Sequence, residues 1–147
     1  MMNSYSDDLP VVLLVEDELL VRMAAADDLQ SAGFHVLEAA NADVALAVLE
    51  ACSDDVRVLF TDIDMPGSMN GLDLAENVQH RWPHISLLIS SAYHKPNAEQ
   101  MPDVGRFVPK PYSSEEVVQQ IRELMAPVEA SDGSLQHGQG CACKFTD

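Results

Sequence analysis

Long apolar runs are missing from this chain of 147 residues, and none approaches the roughly 20 residues needed to cross a bilayer. Basic residues are scarce, 8 against 24 acidic ones, for a formal net charge of −16. A surface this negative repels phosphate backbones and anionic headgroups, so direct nucleic-acid binding and membrane attachment are not expected. Cysteine is scarce too: Cys52, Cys141 and Cys143 make an odd set, and Cys52 falls in an apparent amphipathic helix, which argues against a disulfide framework. The run from His137 to Cys143 lacks the fourth ligand of a closed zinc site. No glycine-rich loop of the dinucleotide or P-loop kind is present to cradle a nucleotide. Met1 to Pro10 carries Asp7 and Asp8 and has no apolar centre, so it does not read as a signal peptide, and the expected compartment is the cytoplasm.

What is present is an alternation. At 47% hydrophobic, the chain can bury the core of one domain. Continuous apolar runs occur at Val11–Val15, Val56–Phe60 and Ile85–Ile89, with shorter ones at His35–Leu37 and Arg106–Val108. Between them lie segments of helical period. Residues 18–32 carry Leu20, Met23, Ala24 and Leu29, and residues 41–52 carry Val44, Ala45, Val48 and Leu49. Residues 70–82 carry Leu72, Ala75 and Val78, and residues 113–126 carry Val117, Val118, Ile121, Leu124 and Met125. Asn41, Asn70 and Ser113 or Ser114 are suited to open helices, Gly33 to close one, and Pro83 to stop the third. Continuous rather than alternating apolar strands imply cover on both faces. The pattern predicts a (βα)5 α/β fold, a doubly wound parallel five-stranded sheet in the common order 2-1-3-4-5. Between Ala92 and Gly105, Pro96 and Pro102 leave room for about one helical turn, so the fourth helix is expected to be short, displaced or absent. Residues 10–126 form the predicted domain, with an extension at 1–9 and a Gly-, Ser- and Gln-rich tail at 127–147.

Polar signals follow three of the apolar runs: Val15-Glu16-Asp17, Thr61-Asp62-Ile63-Asp64-Met65-Pro66-Gly67 and Pro109-Lys110-Pro111. Ligands of such sheets bind where strands end. Glu16, Asp17 and Asp62 would crowd there, and crowded carboxylates either take up protons or share a cation. Hard oxygen donors in a cleft open to water suit Mg²⁺ or Mn²⁺. A carboxylate there can attack phosphorus, and Lys110 can neutralise the phosphoryl oxygens. A hydroxyl at the end of the fourth strand, Ser90 or Ser91, can donate to another of them.

Val15-Glu16-Asp17, Asp62 with Met65-Pro66-Gly67 and Asn70-Gly71, Ser91-Ala92, and Lys110-Pro111 occur together in this order. From about Pro10 to Ala126 the chain thereby resembles the response-regulator receiver domain of two-component signalling, particularly stand-alone single-domain receivers of alphaproteobacterial type. The resemblance implies a flavodoxin-like fold in which Asp62 accepts a phosphoryl group, without being a turnover enzyme. It implies Mg²⁺ held by Asp17 and Asp62, by Glu16 through water, and by the main-chain carbonyl of Asp64. Ser91 matches the family's hydroxyl switch, Phe107 its rotating aromatic and Lys110 its phosphate-binding lysine, with a cis Lys110–Pro111 bond. Implied partners are a sensor histidine kinase or histidine phosphotransfer protein and a downstream protein target. Ser68 is one residue more than the family's loop usually holds.

Other readings stand beside this one. A phosphatase of the haloacid-dehalogenase type would use Asp62 and Asp64 as its Asp-x-Asp pair, but that motif follows the first strand in such enzymes and continues differently from Met65-Pro66. A receiver acting only as a phosphate sink, or a pseudo-receiver that only binds, needs no output. Phe107 also reads as a plain packing residue. His35, His80, His84 and His94 show no ligand spacing, and Trp82 and Met101 read as packing residues.

Overall fold

A computed structural model describes residues 9–92, 96 and 105–126. The strands are β1 (Val11–Val15), β2 (His35–Ala39), β3 (Val56–Asp62), β4 (Ser86–Ser91) and β5 (Gly105–Pro109). The helices among the described residues are α1 (Leu19–Ser31), α2 (Ala42–Cys52), α3 (Gly71–Arg81) and α4 (Ser114–Met125), with a 3-10 turn at Ser53–Asp55. All strand pairs are parallel, in the order β2-β1-β3-β4-β5, as the alternation predicts. The expected short fourth helix falls on residues 93–95 and 97–104, outside the described residues. Met101, His94, the extension at 1–8 and the tail from 127 lie outside them as well.

The helix boundaries follow from side-chain chemistry. Asn41 accepts from the Val44 N–H at 2.9 Å, which occupies one of the donors left open at the start of α2. Reciprocal capping boxes open α3, through Asn70 and Asp73, and α4, through Ser113 and Glu116. Gly33, at φ +100°, turns the chain out of α1, a conformation that costs glycine little.

Alternation along the strands divides the core in two. Leu13, Val15, Leu59, Leu87 and Ile89 face Ala45 and Leu49 of α2 and Leu74, Ala75 and Val78 of α3. Val12, Leu14, Val58, Phe60 and Leu88 face Ala25, Ala26 and Leu29 of α1 and Val117 and Ile121 of α4. Each fully buried Leu, Ile or Val contributes about 1.5–3 kcal/mol of transfer free energy. With both faces covered, the remaining place for chemistry on the sheet is the end of its strands.

The helical spacing of Leu20, Met23, Ala24 and Leu29 marks α1, but of these only Leu29 is buried. Ala25 and Ala26 bring the helix close to the sheet, while Leu20 is 78% and Met23 53% exposed. The first turns of α1 line a cleft beside the strand ends rather than the core.

Candidate functional site

The main-chain ladder extends past the apolar runs. Asp62 pairs with Ser90, and Ser91 with Pro109, so these polar side chains are held on sheet rather than on loops. Carboxylate oxygens of Glu16, Asp17 and Asp62 lie within 4.8 Å of one another. Glu16 and Asp62 are buried, whereas Asp17 is half-buried. Lys110, just beyond β5, brings Nζ to 3.1 Å from Glu16 Oε1 and 3.4 Å from Asp62 Oδ2. The Lys110–Pro111 peptide bond is cis. These groups face an open cleft of about 900 Å³, also lined by Asp64, Ala92, Tyr112, Leu20 and Val21.

Burial pushes the Asp62 carboxyl up to about 6; the Lys110 charge opposes this, the Glu16 charge adds to it, and the Asp64 N–H opposes it. Burial alone would lower Lys110, but its hydrogen bond to Glu16 and the charges of Asp62 and Glu16 outweigh that and raise it. Tyr112 is raised by burial, against the Lys110 charge. The Asp62 shift has a consequence for stability. An unfolded chain releases this proton near the ordinary value of 3.8 and the folded chain only near about 6, so between these values the folded state binds more protons. Asp62 therefore favours folding at low pH, and that contribution is lost as pH rises through about 6. In metal-free buffer, Asp62→Asn should be more stable than the parent above this pH, with the difference shrinking toward about pH 4.5 in urea titrations.

Of the two strand-end hydroxyls, the resemblance points to Ser91, and the two have different surroundings. Ser91 Oγ donates to Asp64 Oδ2 at 2.6 Å. Ser90 Oγ is buried without a hydrogen-bond partner among the described residues. Burying an unpaired hydroxyl is unfavourable, so Ser90→Ala should leave thermal stability unchanged or raise it by up to about 1 kcal/mol. Phe107 is half-buried against the cluster that holds Ile89. Ser68, the additional loop residue, donates to the Asp43 carboxylate at 3.2 Å, tying the loop after β3 to α2. His80 and His84 contact the main-chain carbonyls of Glu76 and Ser53.

Arg22 escaped the sequence reading. Its Nη1 donates to the Glu16 carbonyl at 2.8 Å and its Nε to Glu38 Oε1 at 3.2 Å. The Glu16 N–H donates to the Ala39 carbonyl, and Glu16 Oε2 accepts from the Glu18 N–H. Main chain and side chain of Glu16 are thus both fixed. A long cation one turn into the helix that follows an acidic strand end was the available signal.

Three buried or half-buried carboxylates and a lysine at the carboxyl ends of a doubly wound parallel sheet form an arrangement chemically suited to a phosphoryl group and a hard cation. The sequence profile described as "Response regulator receiver domain" matches residues 12–122. The chain belongs to that family, the phosphoryl-accepting modules of two-component signalling. It is 34% identical over 117 residues to the sensor kinase CckA of Brucella abortus, covering 78% of this chain and 12% of the kinase. It is 34% identical over 116 residues to the C4-dicarboxylate transport regulator DctD of Rhizobium meliloti, covering 77% of this chain and 25% of that regulator. The chain thus spans only a minor part of either relative. Among solved structures, the receiver domain of a hybrid histidine kinase CckA aligns with a TM-score of 0.69 at 28% identity, covering 79% of this chain and 99% of that one. A receiver domain from Clostridium thermocellum shares the fold, with a TM-score of 0.74 at 20% identity over 80% of this chain and 94% of that one. Among the described residues, no helix is long and apolar enough to cross a membrane.

Proposed function

We propose that Asp62 accepts a phosphoryl group from a phosphohistidine on a partner kinase or phosphotransfer protein, and that residues 10–126 act as the switching unit. The observation that carries this reading is the buried Asp62 carboxylate, 3.4 Å from Lys110 and within 4.8 Å of the oxygens of Glu16 and Asp17. An Asp62 oxygen forms a bond to phosphorus as the phosphorus–nitrogen bond breaks, and the imidazole leaves with that electron pair. Lys110 moves its interaction from the carboxylates to the transferred oxygens, and the Ser91 hydroxyl donates to another of them. The acidic donor set fits a hard divalent ion, Mg²⁺ or Mn²⁺. Asp17, Asp62 and the main-chain carbonyl of Asp64 would hold it directly, and when bound it supplies positive charge against the phosphoryl oxygens. Both oxygens of Glu16 are already engaged, by Lys110 and the Glu18 N–H, which favours a role for Glu16 through water.

The exposed Leu20 of α1 lines the cleft, and with Leu19 and Met23, exposed on the same helix, it offers an apolar contact for the donor protein. Rotation of Ser91 toward the phosphoryl group opens space for Phe107 to turn inward, carrying the signal to a downstream protein. Incubation with Mg²⁺ and acetyl phosphate tests the reading. One acid-stable, base-labile phosphoryl group per chain is expected, and none in Asp62→Asn. Rapid multiple turnover on small phosphomonoesters would point instead to a phosphatase.

A further inference from the structure

We infer that the Asp64 side chain is a positioning residue: by accepting the Ser91 hydroxyl in the resting protein it withholds that hydroxyl from the phosphoryl group and sets the threshold for switching. The inference rests on the proposed role of Asp62 and Ser91, and concerns the carboxylate of Asp64 rather than its main-chain carbonyl.

Asp64 lies between acceptor and switch. Its N–H points to Asp62 Oδ1 at 3.4 Å, and its Oδ2 accepts from Ser91 Oγ at 2.6 Å. That distance falls in the range of a hydrogen bond from a hydroxyl to an ionised carboxylate, which is about twice as strong as a neutral one. Ser91 is only 2% exposed, so little water is available to replace the bond. The Ser91 main chain cannot shift to relieve the competition. It pairs with Pro109 in the ladder, and its carbonyl accepts from the Lys110 N–H at 3.1 Å. The hydroxyl can therefore leave Asp64 only by rotating about its own Cα–Cβ bond. A phosphoryl group on Asp62 must outcompete Asp64 for a single hydroxyl proton, because a carboxylate can only accept and a hydroxyl has one proton to donate. Asp64 also places negative charge on the same cleft as the incoming anion. The two effects, hydrogen-bond competition and charge repulsion, are separable.

Beryllofluoride binding in the presence of Mg²⁺, followed by calorimetry on the full chain, is the test. Asp64→Asn should bind beryllofluoride about tenfold tighter than the parent, the factor expected from weakening one charge-assisted hydrogen bond. The same substitution in a Ser91→Ala background removes charge but has no hydroxyl to release, so there the gain should fall to about twofold or less. An equal gain in both backgrounds would reduce Asp64 to a repelling charge and overturn the inference, as would unchanged or weaker binding in Asp64→Asn. Failure of the parent itself to bind beryllofluoride would count against the proposed role of Asp62 instead.

Discussion

Gly71→Ala is expected to destabilise the protein by at least about 3 kcal/mol and to abolish phosphorylation with it. A Cβ at this position would lie 2.0 Å from the Asp62 carbonyl oxygen, 2.7 Å from its carbon and 2.8 Å from Ile63 Cα. All three are main-chain atoms, so no side chain can swing aside. Gly71 opens α3, its N–H donates to the Ile63 carbonyl at 3.0 Å, and the helix start is thereby pressed against the end of β3. Relief of the clash must displace either the helix or the residue that carries the acceptor carboxylate. Gly67→Ala is the control. Gly67 has φ +110°, but a Cβ there would meet no atom within 4 Å, so that change should cost only about 1 kcal/mol of backbone strain. Urea titration of both variants, with acetyl phosphate labelling of whatever remains folded, distinguishes a close-approach requirement from a general need for glycine in the loop.

Lys110→Met carries the second large effect. Lys110 is the cation between two buried carboxylates, 3.1 Å from one and 3.4 Å from the other. Its loss leaves Glu16 and Asp62 facing each other without compensation, so the Asp62 carboxyl should rise further above about 6. Removing one partner from a buried charge cluster costs about 3–5 kcal/mol where the remaining charge is retained, and less where it takes up a proton. Labelling from acetyl phosphate should slow by at least about a hundredfold, because charge developing on the transferred oxygens loses a preorganised donor. Lys110→Arg should restore much of the stability but less of the labelling, since a planar fork cannot occupy the place of a compact ammonium. Labelling of Lys110→Met at the parent rate would remove Lys110 from the chemistry.

Most of the fold was legible in the sequence because its two periods are physically distinct. Apolar runs such as Val11–Val15 and Ile85–Ile89 mark strands covered on both faces, and Asn41, Asn70 and Ser113 mark helix starts through their capping oxygens. The strands proved longer at their carboxyl ends, reaching Asp62 and Ser91, because ladder hydrogen bonds need only main chain and carry no hydrophobic signature. Helical period alone does not show which face of α1 is buried: small Ala25 and Ala26 pack on the sheet, while Leu20 and Met23 are exposed.

At the site, the acidic pair, Asp62 and Lys110 could be picked out because residue type and strand end together limit their chemistry. Arg22 could not, since its partner is the main-chain carbonyl of Glu16, and a carbonyl has no sequence identity. The same holds for Gly71, whose neighbours are the main-chain atoms of Asp62 and Ile63. Nothing in the sequence marked Asp64 as the acceptor for Ser91, because that contact joins positions 27 apart in sequence and depends on side-chain direction.

Asp62, rather than any neighbouring carboxylate, is the proposed acceptor of the phosphoryl group. Reductive trapping tests it most directly: the protein is phosphorylated from acetyl phosphate or a phosphohistidine donor with Mg²⁺, treated with borohydride and sequenced by peptide mass spectrometry. Reduction of an aspartyl phosphate leaves homoserine, expected at position 62 alone, with none in Asp62→Asn. Homoserine at position 17 or 64, or equal labelling of the Asp62→Asn protein, would contradict it.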